Sequence, residues 1–354
     1  MKLKDFATIN MGQSPKGETY NMNGDGMPFL QGRKTFGRIY PIIDTWTTNP
    51  IKIANKDEIL MSVRAPVGDM NFANQEICIG RGLCSINAKN GRNKYLYYML
   101  LNSMNYLKQK STGTVFDSIN RKDLEELEIN FHSDDEQIII EKILGDIDDK
   151  IELNNEINKN LHEEIVAIYK NKFSGIEQGS KTIGEYLTPK RGKNLLTRDA
   201  VDGNIPVVAG GIEPSTYHNQ SNTSAPVITI SASGANAGYT NLWELPVWAS
   251  DCSYIDNSIT ENVYFWYVVL KTRQKEIFDA QTGSAQPHIY PQHIAEMPIN
   301  ELDIDEVRNF NVLVEPLFKM IGENIKENEQ LSKLRDTLLP KLMSGEIDLD
   351  NVII

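Results

Sequence analysis

Cysteine is scarce: three residues (Cys78, Cys84, Cys252) among 354, with no Cys-x-x-Cys pair. That excludes a disulfide framework and a cysteine-held zinc site, and it suits a reduced, cytoplasmic protein. Long apolar runs are also lacking. None approaches the ~18 residues that would span a bilayer, so no membrane is expected as a partner. The opening Met1-Lys2-Leu3-Lys4-Asp5-Phe6 has neither the apolar stretch nor the cleavage site of a signal peptide. No Gly-x-x-x-x-Gly-Lys-Ser/Thr cradle for nucleotide phosphate occurs. Asn49-Pro50 runs on into Ile51-Lys52, where a motif that grips a flipped adenine would need a second proline and an aromatic residue. Gly234-Ala235-Asn236-Ala237-Gly238 opens no helix and has no acid at dinucleotide-binding spacing.

Histidine is rare as well. Of His132, His162, His218, His288 and His293, only the last two are close in sequence, and no cysteine or acid cluster completes a metal set. His162 is expected on the outer, solvated face of a helix. Cys252 follows Asp251 without a histidine at readable spacing, which makes a poor nucleophile. No catalytic residue, metal site or cofactor is assigned to this chain, and it is expected not to be an enzyme by itself.

Basic charge is in deficit overall, with a net charge of −12. The deficit is uneven. Residues 1–132 hold 17 Lys and Arg against 13 Asp and Glu; residues 133–172 hold 5 against 11, residues 173–302 hold 8 against 13, and residues 303–354 hold 6 against 11. A nucleic-acid surface needs a local basic footprint and not a basic whole, so the charge permits DNA binding without indicating it.

What is present is a repeat. In Glu136–Gly175, alternating steps of four and three pick out Ile140, Leu144, Ile147, Ile151, Asn154, Asn158, Leu161, Ile165 and Ile168. Adding 170 to each number gives Phe310, Val314, Leu317, Ile321, Asn324, Asn328, Leu331, Arg335 and Leu338 in Asp305–Gly345. This is a heptad seam, so both segments are expected to be long helices seeking partner helices. Both interrupt the seam with two Asn at matching places, and both stop at Ser-Gly (Ser174-Gly175, Ser344-Gly345). A helix of ~40 residues spans ~60 Å. Two related halves in this order pack most simply as an antiparallel pair about a pseudo-twofold axis, with the four Asn fixing register where they meet. The globular–helix–globular–helix order is nearly circular, which places the termini close together.

The globular parts match as well. Lys4–Ile9 opens the first, followed by Gly12-Gln13-Ser14-Pro15-Lys16-Gly17 and a short strand, Met27–Gly32, between glycine turns. Glu58–Arg64 is a buried strand closed by Ala65-Pro66-Val67-Gly68. Ile77–Ile86 is another, with Cys78 and Cys84 as small core residues on one face. Tyr95–Leu107 has helical spacing. Asn120 is placed to cap a short helix from Arg121 to about Leu127, with Asp123 at its third position. Thr182–Tyr186, Pro189–Lys193, Ile205–Gly211, Val227–Ser231 with Ser233–Gly238, and Val263–Leu270 repeat this outline, and Pro291 falls where Arg121 starts the short helix. Gln281-Thr282-Gly283-Ser284 matches Ser111-Thr112-Gly113-Thr114. The fold class is α+β: two similar mixed α/β domains, 1–132 and 176–302, joined by helices over 133–175 and 303–354 that form an antiparallel coiled coil.

Two diverged units at a set distance suit a ligand with two unlike sub-sites, and double-stranded DNA with a split sequence is one. Lys16, Arg33, Lys34, Arg64, Arg81, Arg121 and Lys122 lie beside glycines in the first unit. Lys190, Arg191, Lys193, Asn236, Gln286 and His288 are their counterparts, and the hydroxyls of Thr112, Thr114, Thr282 and Ser284 stand on the matching loops. Arg and Lys suit guanine, Asn and Gln suit adenine, and Gly allows close backbone approach to phosphate. An exposed loop charge needs no ligand to explain it, so these are candidates as a set. A scaffold that binds proteins alone, and an enzyme with an unrecognised site, stay open as alternatives.

Met27-Pro28-Phe29-Leu30-Gln31-Gly32, Ile59–Gly68, and Thr112-Gly113-Thr114 followed by Ile119-Asn120-Arg121-Lys122-Asp123-Leu124 carry a resemblance, joined by Glu136-Gln137 and the tandem layout. Over essentially its whole length the chain resembles the specificity (S) subunit of type I restriction–modification systems. The resemblance implies two target-recognition domains, each reading half of a bipartite DNA target, with the helices as spacer. It implies a non-catalytic subunit that recruits two methylation subunits, which bind S-adenosylmethionine and modify adenine, and often restriction subunits driven by ATP. The second half departs from the pattern, with Glu306-Val307 in place of Glu136-Gln137.

Overall fold

The structure is a computed structural model that describes residues 1–110, 118–283 and 286–349, without the side chains of 105–110. It is α+β and divides into two compact units, Met1–Lys150 with Gln330–Ile354, and Ile151–Glu329.

In the first unit one helical turn, Leu3–Phe6, leads into the edge strand Ala7–Met11. That strand starts an antiparallel sheet ordered Ala7–Met11, Leu83–Ala88, Ile59–Ser62, Met70–Phe72. All four residues of Ile59–Ser62 are buried, because successive side chains leave a strand on opposite faces and both faces are covered. Ile59 and Met61 join the main core with the helix Asn93–Lys110, while Leu60 joins a smaller core with Leu30, Ile77 and Ile79 of a second sheet. The apolar stretch Ile77–Ile86 is therefore not one strand. It breaks at Gly80-Arg81-Gly82 into Ile77–Ile79 and Leu83–Ala88, which belong to different sheets, so Cys78 and Cys84 do not share a face. Both cysteines are fully buried and unpaired.

The second unit repeats the plan. Lys190–Arg191, Cys252–Asp256, Val227–Ser231 and Thr240–Trp243 form an antiparallel sheet, beside a three-stranded sheet of Thr216–His218, Ile205–Val208 and Trp248–Ala249. Its helix, Val263–Thr272, buries every residue from Val263 to Leu270, and each large side chain so buried contributes roughly 1.5–3 kcal/mol. The duplication reaches single hydrogen bonds. Gly12 N donates to Leu83 O and Gly192 N to Cys252 O, both at 2.9 Å. Ile119 N donates to Val63 O and Ile289 N to Ala232 O, both at 3.0 Å.

The short helices keep their expected starts. Asn120 and Asp123 cap Arg121–Glu125 reciprocally, although that helix stops two residues before Leu127. Pro291 is the first residue of Pro291–Ala295. The long helices run over Asp134–Lys172 and Ile304–Ser344, and Gly175 and Gly345 follow in the left-handed conformation (φ 71° and 73°) that ends a helix cheaply only for glycine. Within the second unit the two helices run antiparallel. Asn154 Nδ2 donates to Asn328 Oδ1 at 2.9 Å, Asn324 Nδ2 to Asn158 Oδ1 at 2.8 Å, and Asn154 is fully buried. At the other end of the chain, Leu349 packs in the same core as Leu3, while Ile354 lies outside the described residues.

Candidate nucleic-acid interface

The first unit gathers four of its candidate cations at one end of its strands. A Cβ at Gly12 would collide with the carbonyl oxygens of Ile79, Gly80 and Leu83, so glycine lets that loop lie flat on the turn carrying Arg81. The Arg81 amide donates to Ser14 Oγ at 3.2 Å, and Ser14 Oγ donates to Gln31 Oε1 at 2.9 Å. Gly82 N reaches Gln31 O at 3.1 Å and Val63 N reaches Gly82 O at 2.9 Å, which ties the segments leading to Arg33, Arg64 and Arg81 together. Arg33 pairs with Asp69, and with Lys34 and Pro66 the two line an open cleft of about 730 Å³. Arg64 is exposed and bridges to Ser118 in backbone pairing.

Among the described residues, the remaining candidates of this unit are not drawn into that group by any contact between side chains. Lys16 sits 3.9 Å from Glu18 on its own turn. Arg121 is held by Glu125 at 2.7 Å along its helix, and Lys122 is exposed beside it. Thr112 and Thr114 lie outside the described residues, as does Ser284 of the second unit.

The second unit uses the same frame with other side chains. Gly192 lies against the carbonyls of Ala249 and Ser250 as Gly12 does in its own unit. Arg191 Nη2 donates to Asp251 Oδ1 at 2.5 Å, and Ser233 Oγ donates to the other oxygen of the same carboxylate. Ser233 bridges to His288, which repeats the Arg64–Ser118 bridge, and His288 in turn exchanges backbone hydrogen bonds with Thr282 at 2.8 and 3.0 Å. Tyr290, exposed, stacks on His288 with ring centroids 5.9 Å apart. Lys190 Nζ donates to Ser258 Oγ at 3.2 Å, and Lys193 O accepts from Trp248 Nε1 at 2.8 Å. Gln286 is exposed on the loop turned by Gly283, whereas Asn236 is half-buried and its carbonyl closes the turn to Tyr239 N.

Reasoning from sequence missed Asp69, Asp251, Ser233 and Tyr290. Nothing in their spacing marks the two acids, because each reaches its arginine across 36 or 60 residues of chain. Tyr290 could have been found, two residues from His288 on the loop already singled out. His162 also departs from expectation: it is half-buried, its ring 6.3 Å from that of Tyr267, and not on a bare outer face. Burial pushes the Cys252 thiol up to about 12, which leaves it uncharged near neutral pH. Among the described residues no group of three or more His, Cys, Asp or Glu is placed to hold a metal ion, and no helix is long and apolar enough to cross a membrane.

Residues 1–163 match the family model of the type I restriction modification DNA specificity domain. The chain is similar to type I specificity subunits. It is 26% identical to the type I restriction enzyme MjaIX specificity subunit of Methanocaldococcus jannaschii over 99% of this chain and 94% of that protein. A putative MjaX specificity subunit from the same organism is 43% identical over 152 residues, which are 42% of this chain but only 35% of the relative. In fold, the chain is similar to the crystal structure of a type I S subunit from M. genitalium, with a TM-score of 0.63, 23% identity, and coverage of 97% of this chain and 95% of that one. Exposed donors and acceptors stand at the strand ends of both units.

Proposed function

We propose that this specificity subunit reads a bipartite duplex sequence, one half with each unit, and itself carries no catalytic group. The observation that carries this reading is the repeated strand-end frame: the Arg64–Ser118 and Ser233–His288 bridges occupy the same place in the two units and present different chemistry. A conserved frame with diverged side chains is what two readers of unlike half-sites require. On this reading 1–132 and 176–302 are target-recognition domains, and the helices of 133–175 and 303–354 form an antiparallel coiled coil with pseudo-twofold symmetry that sets the gap between half-sites.

Methyl transfer and any restriction then belong to partners. Two methylation subunits would bind S-adenosylmethionine and dock on the helices, and restriction subunits, where present, would bind ATP; the setting is the cytoplasm. A groove of about 590 Å³ on the helices of the second unit, lined by Val166, Ile321 and Ile325 and rimmed by Lys159, Glu163 and Lys170, supports docking of a protein there.

Selection from a random duplex pool with the assembled methyltransferase tests the proposal. The expected result is two short sequences separated by a constant gap. Removing one heptad from both long helices is expected to change that gap; an assembled complex with unchanged spacing would defeat the spacer role. Binding that is indifferent to sequence and to salt would favour a scaffold for proteins alone.

A further inference from the structure

Contacts to base edges and contacts to phosphates make different demands on a side chain. A guanidinium meets the O6 and N7 of guanine in one plane and one direction, whereas a phosphate accepts a cation from many sides. An arginine loses rotamer freedom when it is fixed, unless a neighbour has fixed it beforehand.

Two of the strand-end arginines are held in this way by an acid distant in sequence, one in each unit. Arg33 Nη1 pairs with Asp69 Oδ2, and Arg191 Nη2 pairs with Asp251 Oδ1. The arginine side chains remain 44% and 43% exposed, so neither is closed off from a ligand. The aspartates are themselves anchored, Asp69 through its backbone and Asp251 through both backbone and carboxylate. Asp69 N donates to Ser62 Oγ at 3.0 Å and its carbonyl accepts from Ser62 N at 2.9 Å. Asp251 takes Ser233 Oγ on its second oxygen, and its carbonyl accepts from Ala232 N at 3.1 Å. Lys34, Arg64 and Arg81, on the same strand ends, form no ion pair among the described residues.

Neither pair is inherited from the duplication. Gly12 and Gly192 are equivalent, so Arg191 stands where the first unit has Met11. Ser62 N donates to Asp69 O as Ser231 N donates to Tyr239 O, so Asp69 stands opposite Tyr239. Gly80 N reaches Leu30 O as Ser250 N reaches Val208 O, which sets Asp251 against Arg81. The same arrangement, an exposed arginine held by an anchored aspartate at the strand ends, has arisen at different positions in the two units. Common descent does not account for that recurrence.

We infer that Arg33 and Arg191 are the base-reading arginines of the two units, each directed at a guanine of its half-site, with Asp69 and Asp251 as positioning residues. Lys34, Arg64 and Arg81 contact phosphate. The inference rests on the DNA-reading function proposed above.

The test uses the complete methyltransferase complex and random duplex selection with Asp69→Asn, Asp251→Asn, Arg33→Lys, Arg191→Lys and Arg64→Ala. Asp251→Asn and Arg191→Lys are expected to relax a guanine preference by about tenfold or more at one position of one half-site. Asp69→Asn and Arg33→Lys are expected to do so in the other half-site. Affinity of the Asp→Asn complexes for random duplex stays equal or rises, since a negative charge near DNA is gone. Arg64→Ala should weaken all sequences evenly and lower the slope of log affinity against log salt by about one. Unchanged base preference in the Asp→Asn and Arg→Lys complexes, or an even loss across all sequences, overturns the inference. A wild-type complex without any bipartite preference would instead overturn the DNA-reading function beneath it.

Discussion

Arg335 donates through Nη1 to Asp148 Oδ1 at 2.8 Å, and it does so from a seam position that is Ile165 in the other copy of the repeat. A charge is tolerated there because Asp148, itself only 13% exposed, also accepts from Tyr98 OH at 2.8 Å and lies near Arg38. The group is a partly buried network in the first unit, and its members depend on one another. Burial and the neighbouring Asp148 carboxylate push the Tyr98 hydroxyl well above its ordinary value, so it remains a donor.

Arg335→Leu would restore the apolar seam yet strip Asp148 of its strongest partner. We expect a loss of about 1–3 kcal/mol, less than for a fully buried pair because water still reaches the site. Arg335→Lys, which keeps the charge but not the fork, should lose less. Urea unfolding of the variants checks the order; a more stable Arg335→Leu protein would contradict it.

The asparagine seam allows a different comparison. Asn154→Ala removes the Nδ2 donor that serves Asn328 Oδ1 and Glu327 Oε2 and should lower stability by about 1–2 kcal/mol. Replacing Asn154 and Asn328 together with Leu should be neutral or stabilising, while loosening the pairing register of the two helices. Thermal unfolding measures the first effect. Disulfide trapping between cysteines introduced at neighbouring seam positions measures the second, and a single trapped register in the double variant would argue against a registering role.

Glu126 supplies a pH dependence. Hydrogen bonds from Lys2 and Lys4 hold its carboxyl at about 2, against an ordinary 4.5. As pH falls, the unfolded chain takes up the proton first. The contribution is therefore complete above about 4.5, fades below it, and is gone under about 2. Glu126→Gln should lower the melting temperature slightly at neutral pH, with the difference closing between these two values. A difference that persists at pH 2 would show another origin. Because the group is exposed, the effect is small and falls with salt.

The three thiols should be silent in the folded protein. Cys78, Cys84 and Cys252 are fully buried, and burial pushes Cys84 and Cys252 up to about 12. Alkylation at neutral pH followed by mass spectrometry should find no label until denaturant is added. Rapid labelling of the native protein would mean that one of the small cores opens readily.

The long helices were legible in the sequence because their signal is periodic and local: seam residues such as Ile140 and Phe310, and stops at Gly175 and Gly345. The short helix at Asn120 was legible from its cap. The break at Gly80-Arg81-Gly82 was not, because two glycines around one arginine inside an apolar run do not tell which sheet each half will join. The site divides along the same line. Exposed cations such as Arg33 and Arg191 show in the sequence as charges beside turns, but their partners Asp69 and Asp251 are set by tertiary approach, which no spacing rule reports.

The second unit is a continuous stretch of chain, Ile151–Glu329, whereas the first needs both Met1–Lys150 and the segment from Gln330 onward. Leu339, Leu342 and Met343 complete a core begun by Leu3 and Phe6. During synthesis, the unit begun first is thus finished last. It must wait, with part of its apolar surface uncovered, until the second unit has been made, and closing that loop of chain carries an entropic cost the second unit never meets.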